Sequence, residues 1–327
     1  MSKEIFKIAK RFLPIIGIII LLYIIYSLDI DKIIDSFLRI NPIFIIISLS
    51  LTLPRVVIRN YAWQLIQQEQ KISIDFLDSL KIFLIGFFYG SFTPGYFGQL
   101  MRIPYMKERT NAPYGKLFVN TLLEVIIHNI SLYGMILFGA FLIIGIRSDL
   151  FIVSAISIGL IFLILLFFIK KERGEKTFHF LIKYLIPKNF KKHLTRFVDT
   201  FYNDFPNLKS LILPTILGVF TWIIIFTQEY IVVMALGLEI PYLYFLLLYP
   251  IANIIGFIPI TFAGLGTREA VAIFLFYTVC QFNVLEEEIL VVSLVGFMLT
   301  AVFTGFLGFI LSLTEKNRKK ELLKELT

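Results

Sequence analysis

Eight ionisable residues are singled out in or beside apolar stretches of a 327-residue chain: Arg55, Arg59, Arg102, Glu124, His128, Glu229, Arg268 and Glu269. A charge at membrane depth is costly, so each marks a functional site by default. Arg55 and Arg59 are one helical turn apart; Glu124 and His128 share a helix face at i and i+4, with Asn129 beside them; Gln228 precedes Glu229. Asn253 is a further polar residue in an apolar run. Two accounts fit these residues. In the first, the charges neutralise one another, Arg102 with Glu124 and Arg268 with Glu229, while Arg55 and Arg59 snorkel to the interface. In the second, arginines bind a phosphate at membrane depth, because the planar guanidinium fork matches two oxygens of an oxyanion. There Arg102 and Arg268 hold the phosphate of a lipid headgroup, and Arg59 attracts lipid at the inner leaflet. Glu124 and Glu269 balance the charge, select a cationic headgroup or take a coupling proton.

The segments carrying two of these arginines are broken. Thr93-Pro94-Gly95-Tyr96-Phe97-Gly98 interrupts the apolar stretch 82–100 and is followed by Arg102. Pro250, Gly256, Pro259, Gly264 and Gly266 interrupt 250–269, which closes on Arg268-Glu269. Pro removes a backbone donor and Gly adds conformational freedom. Irregular backbone survives at membrane depth only where it is buried in protein or lines a wet cavity, and helix N-termini there attract anions. Interrupted segments at corresponding places in two halves point to a transporter binding site and to an inverted repeat. The echo is only a few residues long, and simple kinked helices would leave the same mark.

These residues need a scaffold of membrane helices. Of the chain, 58% is hydrophobic and 17% charged, against about 45–50% and 25% in soluble domains. Runs of the length needed to span, about 20 residues, fall at 12–28, 42–62, 116–145, 150–169, 211–236, 242–260, 268–283 and 288–313. The expected fold is all-α, a polytopic helical bundle. Unbroken runs such as Ile15–Ile25 lack the alternation of a transmembrane β-barrel. Run 12–28 is followed by Asp29, Asp31 and Lys32 rather than a cleavage site, so it reads as a span and not a leader.

Lys and Arg concentrate in the N-terminus (Lys3, Lys7, Lys10, Arg11), in 170–210 and in the tail 314–327, whereas 284–287 carries only acids. By the positive-inside rule both termini and 170–210 are cytoplasmic, in a multi-pass protein of the cell membrane. Both flanks of 82–100 are basic too, so that stretch reads as a re-entrant hairpin turning at Pro94-Gly95. Phe178, Leu181, Ile182 and Leu185 recur at helical spacing among lysines, as in an amphipathic helix on the inner surface. The chain then reads as a single transmembrane domain, 1–327, with a first half 1–169, the cytoplasmic segment 170–210, a second half 211–313 and a basic tail.

Other functions find little support. The net charge of +8 follows from basic membrane boundaries, so no nucleic-acid partner is expected. Cys280 stands alone and only His128, His179 and His193 are present, so no metal and no cofactor are expected. No nucleophile-elbow, zinc-protease or P-loop motif occurs. An integral transferase that uses Arg and Glu stays open as the alternative, as does an accessory or scaffold subunit of a glycolipid or aminoacyl-lipid pathway.

At these same residues the chain resembles a known family. Pro94–Arg102 is similar to a P-x-x-x-G-[EQ]-x-x-R element, and Ile258–Glu269 to P-x-x-x-G-G-[LIV]-G-x-[RG]-E. Glu124 stands where that family carries an acid, and Arg59–Trp63 fits as well. The family is the lysylphosphatidylglycerol synthase transmembrane region family, also called flippase-like or UPF0104. Val125 replaces a common Arg, and Ala263 the first glycine of a pair. The resemblance covers nearly the whole chain. It implies a lipid-translocating or lipid-binding module acting on an anionic phospholipid or a polyprenyl phosphate, with a separately encoded transferase as a candidate partner. The chain runs about 14 residues beyond its last span, so no soluble transferase domain and no lysyl transfer are expected.

Overall fold

The computed structural model describes residues 18–91, 93–143, 174–180, 191, 195, 198–199, 201, 203, 205–255, 261 and 264–325. The described regular structure is helical throughout. In chain order it comprises α1 (Ile18–Ser27), α2 (Ile30–Arg39), α3 (Pro42–Ser50), α4 (Thr52–Glu69) and α5 (Phe76–Ser91). A 3₁₀ segment (Pro94–Met101), α6 (Arg102–Arg109) and α7 (Tyr114–Ile143) follow. The second part holds α8 (Ile212–Ala235), α9 (Tyr242–Ile255), α10 (Thr267–Ile273), α11 (Glu286–Phe297) and α12 (Phe303–Glu325). Single π turns extend α10 through Phe274–Val279 and join α11 to α12 through Met298–Val302.

Local sequence sets these boundaries. Asp29 caps α2 by accepting from the Asp31 and Lys32 amides, and Asn41 caps α3 ahead of Pro42. Helices α3 and α4 run on as one 28-residue apolar helix, Pro42–Glu69, interrupted at Leu51. Pro54 lies four residues after Ser50 and cannot donate to its carbonyl, which accounts for the interruption. Four helices among the described residues are long and apolar enough to cross a bilayer: Pro42–Glu69, Tyr114–Gly139, Leu208–Ala235 and Glu286–Glu315. The expected span 150–169 lies outside the described residues, as does most of 170–210, of which 174–180 is helical.

One expected span is shorter than a crossing. Helix α10 with its π turn covers Thr267–Val279 before Gln281 takes a positive φ of 50°. At about 1.5 Å per residue, it does not reach through a ~30 Å hydrocarbon core. Helix α9 is described over Tyr242–Ile255, and the rest of its expected span, 256–260, lies outside the described residues. The chain enters α10 through Gly264 and Gly266, at φ 81° and 83°, a region that favours glycine.

The stretch 82–100 folds as the hairpin its basic flanks require. Helix α5 ends at Ser91, and Pro94–Met101 turns back along it. The contact is backbone to backbone: a Cβ on Gly98 would sit 2.0 Å from the Tyr89 carbonyl oxygen. Small residues permit such close approach, which carries helix packing inside membranes where no hydrophobic drive separates protein from lipid.

Two packed regions flank the middle of the bundle. Trp63, Phe83, Met106 and Leu117 join α4, α5, α6 and α7. Trp222, Phe226, Phe245, Tyr249, Phe276 and Leu290 join α8 to α11. Large apolar side chains such as Phe138, Phe220, Leu243 and Phe306 face outward, as a lipid-facing surface does.

Ion pairs join the helix ends. Arg39 pairs with Glu288 at 2.8 Å, and the Asp29 amide donates to Glu287 at 3.3 Å, joining 29–41 to 284–288 at one end of the bundle. Arg109 bridges Glu315 at 2.9 Å and Asp78 at 3.3 Å, joining the start of α5 and the end of α6 to the middle of α12.

Candidate functional site

A cavity of about 210 Å³ lies between the two packed regions. Helix α4 gives it Arg55 and Arg59; the first break gives Tyr96 and Gln99; α7 gives Val125, His128 and Asn129. Helix α8 adds Trp222 and Glu229, α9 Asn253, α10 Arg268, and the α11–α12 junction Phe297 and Thr300. The structure thus brings Arg55, Arg59, His128, Asn129, Glu229, Asn253 and Arg268, singled out in both halves, onto one cavity, whereas Arg102, Glu124 and Glu269 do not line it.

The arginines differ in how fully protein occupies them. Arg102 is wholly buried and lies behind the cavity. Its Nη1 donates to Glu124 Oε2 at 2.6 Å and its Nη2 to Gln99 Oε1 at 2.8 Å. Its guanidinium lies over the Phe83 ring at 4.6 Å and the Trp63 ring at 5.0 Å. A Cβ on Gly86 would stand 2.2 Å from Arg102 Cγ, so α5 keeps a groove open for this side chain. Arg102 locks the hairpin to α7 and presents Gln99 to the cavity.

Arg59 reaches the other oxygen of Glu124, Nε to Oε1 at 3.0 Å. Both its terminal nitrogens have no acceptor among the described residues. Arg55 donates through Nη2 to the Thr300 carbonyl at 2.9 Å and to Thr304 Oγ1. Among the described residues its buried Nε has no partner and no carboxylate pairs with it. The Thr300 carbonyl lies in the π turn, where the regular helical hydrogen-bond pattern is disturbed; such turns are frequent at functional sites.

Arg268 pairs with its neighbour Glu269 at 2.5 Å, not with Glu229 as one sequence account had it. Its Nε donates to Ser293 Oγ at 3.0 Å, and its guanidinium lies 4.7 Å from the centre of the Phe297 ring. Ser293 Oγ donates to Glu269 Oε1 at 3.0 Å and lies 2.9 Å from the Tyr249 hydroxyl that donates to it. Glu269 Oε2 accepts the Gly266 amide at 2.5 Å and so caps α10. One carboxylate therefore fixes both the break and the arginine after it. Arg268 Nη1 has no acceptor among the described residues.

Glu229 is buried, and among the described residues a single long bond reaches it, from Thr300 Oγ1 to Oε1 at 3.4 Å, with no partner for Oε2. His128 stacks on Trp222, with centroids 4.5 Å apart, and its Nε2 likewise has no partner among the described residues. Its carbonyl accepts from Trp222 Nε1 at 2.8 Å.

Of the other residues picked out in sequence, Pro94 and Gly95 open the 3₁₀ segment, Gly98 packs on α5, and Gly264 and Gly266 form the turn into α10. Pro259 lies outside the described residues. Sequence reasoning missed Ser293, which carries no signal in an apolar run, and read Gln99 only as the [EQ] position of the first element, not as a site residue. Away from the cavity, ligand atoms of Glu175, His179 and Asp199 lie within 4.8 Å of one another, with His179 and Asp199 as a half-exposed pair at 3.0 Å.

Chemically, the cavity offers guanidinium nitrogens without acceptors among the described residues, in a low-dielectric setting. That arrangement suits an oxyanion.

Residues 13–308 match the family model for the lysylphosphatidylglycerol synthase TM region. A UPF0104 membrane protein of Methanocaldococcus jannaschii is 24% identical over 326 residues, covering 95% of this chain and 96% of its own. A UPF0104 membrane protein of Pyrococcus horikoshii is 23% identical over 333 residues, covering 95% and 98%. With its long apolar helices and this match over most of its length, the chain is a multi-pass integral membrane protein and belongs to the lysylphosphatidylglycerol synthase TM region family.

Proposed function

We propose that this protein binds the phosphate of a lipid headgroup in the cavity between its two broken segments and carries that headgroup across the membrane. The observation that carries the reading is the convergence of Arg55, Arg59 and Arg268 on one cavity, each with a guanidinium nitrogen that no described residue accepts from. Four arginines and three glutamates (124, 229, 269) surround the site, so one positive charge is left for an anion when all are ionised. The size agrees. About 210 Å³ is below the ~300–1,000 Å³ of sites for drug-sized ligands. It accommodates a phosphate with a small alcohol and leaves the acyl chains in the bilayer.

In this reading Arg59 and Arg268 grip the phosphate from opposite halves, Arg55 adds charge from behind, and Glu124 and Glu269 orient the grip. Arg102 holds the first break in place. The two halves, 1–169 and 211–313, act as the moving parts about the cavity. The basic ends and 170–210 face the cytoplasm of the cell membrane, and a separately encoded transferase supplies or consumes the lipid. Movement is passive or ion-coupled, since the sequence holds no P-loop.

Exchange of fluorescent lipid between leaflets of proteoliposomes tests this. Phosphatidylglycerol, an aminoacylated phosphatidylglycerol and a polyprenyl phosphate are expected to cross faster than in protein-free vesicles, with the lipid recovered chemically unchanged. No acceleration for any of the three contradicts transport; a new product given a donor substrate supports the transferase alternative instead.

A further inference from the structure

We infer that Glu229 takes up one proton when an oxyanion enters the cavity, so that headgroup movement is coupled to proton movement; this rests on the headgroup reading above.

Glu229 and Gln228 are adjacent on α8, yet the bundle treats them differently. Gln228 Nε2 donates to the Ser48 carbonyl at 2.8 Å and to Thr52 Oγ1 at 3.0 Å, tying α8 to the interruption between α3 and α4. Among the described residues Glu229 is held by the 3.4 Å contact with Thr300 alone, and no cation there pairs with it within 4 Å. Glu124 and Glu269 each sit on at least one arginine. Space is kept for the Glu229 side chain: a Cβ on Gly296 of α11 would stand 2.7 Å from its Cγ. A carboxylate that lines a cavity and has no ion-pair partner among the described residues is the group free to change its proton.

The charges around it set the sign. Arg55 on α4 and Arg268 on α10 act on Glu229 as cations, and Glu269 opposes them from α10. Tyr249 on α9 and Tyr96 from the first break are the hydroxyl groups within electrostatic reach. Arg59 and His128 line the same cavity from α4 and α7. In the empty cavity an ionised Glu229 is the counter-charge to Arg55 and Arg268. A phosphodiester brings its own negative charge to the same guanidiniums, and two anions in one low-dielectric cavity repel strongly. A proton from water on Glu229 removes the repulsion and turns an acceptor into an O–H donor toward the phosphate. Binding that takes up a proton must weaken as pH rises, by the reciprocity of linked equilibria.

Calorimetric titration of the full chain with dihexanoyl phosphatidylglycerol, in buffers of different ionisation enthalpy, counts the protons. The probe is a phosphodiester whose own charge is constant over about pH 5–9. Wild type is expected to approach about one proton taken up per lipid, with affinity falling up to about tenfold per pH unit where uptake is greatest. Glu229→Gln is expected to bind with uptake near zero and an affinity that no longer follows pH. Gly296→Ala, which leaves every charge in place, is expected to shift the pH of half-maximal uptake; an unmoved profile would overturn the assignment to Glu229. A parallel titration with sulfate, a free tetrahedral anion of constant charge, separates sources. Sulfate that displaces the lipid with the same proton count makes oxyanions in general the ligand, and sulfate that fails to compete makes the lipid headgroup the ligand; both support coupling. Lipid binding by wild type with no proton uptake overturns this inference and leaves the headgroup reading standing. No binding of either anion overturns both.

Discussion

Replacing Arg102 by Ala is expected to lower the stability of the folded protein by about 3–5 kcal/mol, the cost typical of breaking a buried ion pair from one side. The side chain is fully buried, and its loss frees an oxygen of Glu124 and the carbonyl of Gln99 together. It also empties the groove that Gly86 leaves open and removes the cation over Phe83 and Trp63. Arg102→Lys retains the charge but not the fork that reaches two acceptors at once, so an intermediate loss is expected. Thermal or denaturant unfolding in detergent micelles measures both. A change below about 1 kcal/mol for Arg102→Ala would show that the hairpin does not depend on this lock.

Arg59→Gln separates binding from folding. Among the described residues Arg59 donates a hydrogen bond only through its Nε, with its guanidinium 5.1 Å from the centre of the Phe83 ring, and Glu124 retains Arg102 when it goes. What disappears is a charge and two amino groups on the cavity wall. Hydrogen bonds to charged groups contribute about 1.5–3 kcal/mol each, and 1.4 kcal/mol is a factor of ten in affinity. Affinity for a short-chain anionic phospholipid is therefore expected to fall about 10- to 100-fold, while the unfolding midpoint moves far less than in Arg102→Ala. Equal losses of stability in the two variants would mean that Arg59 is structural as well.

The contrast between these two arginines is where sequence and structure part. Both were legible as charges in apolar surroundings, and so were Arg55, Glu229 and the Arg268–Glu269 pair. The hairpin at 82–100 was legible from its basic flanks and its Pro-Gly turn. Partner choice was not. Arg268 takes Glu269, one residue away, because that carboxylate is already drawn to the Gly266 amide at the mouth of α10. Glu229 is then left to the cavity. Arg102 looked like the first-half counterpart of Arg268, but Gly86 admits it into the packed side of the hairpin, so Arg59 one helix away reaches the cavity instead. A glycine in an apolar helix says nothing of which side chain it makes room for, and Ser293 in a run of Val and Leu says nothing of the three groups it joins. The short α10 escaped notice because residues 268–283 are apolar enough to span; the turn through Gly264 and Gly266 and the reversal at Gln281 shorten it.

The central claim is that an oxyanion of a lipid occupies the cavity between the two breaks. A structure of the protein in nanodiscs rich in phosphatidylglycerol tests it most directly. The account predicts a phosphate within charge-assisted hydrogen-bond distance, about 2.7–2.9 Å, of the Arg59 and Arg268 guanidiniums, with Glu229 turned toward it. A cavity that stays filled by water alone, with lipid phosphates only at the outer surface of the bundle, would contradict it.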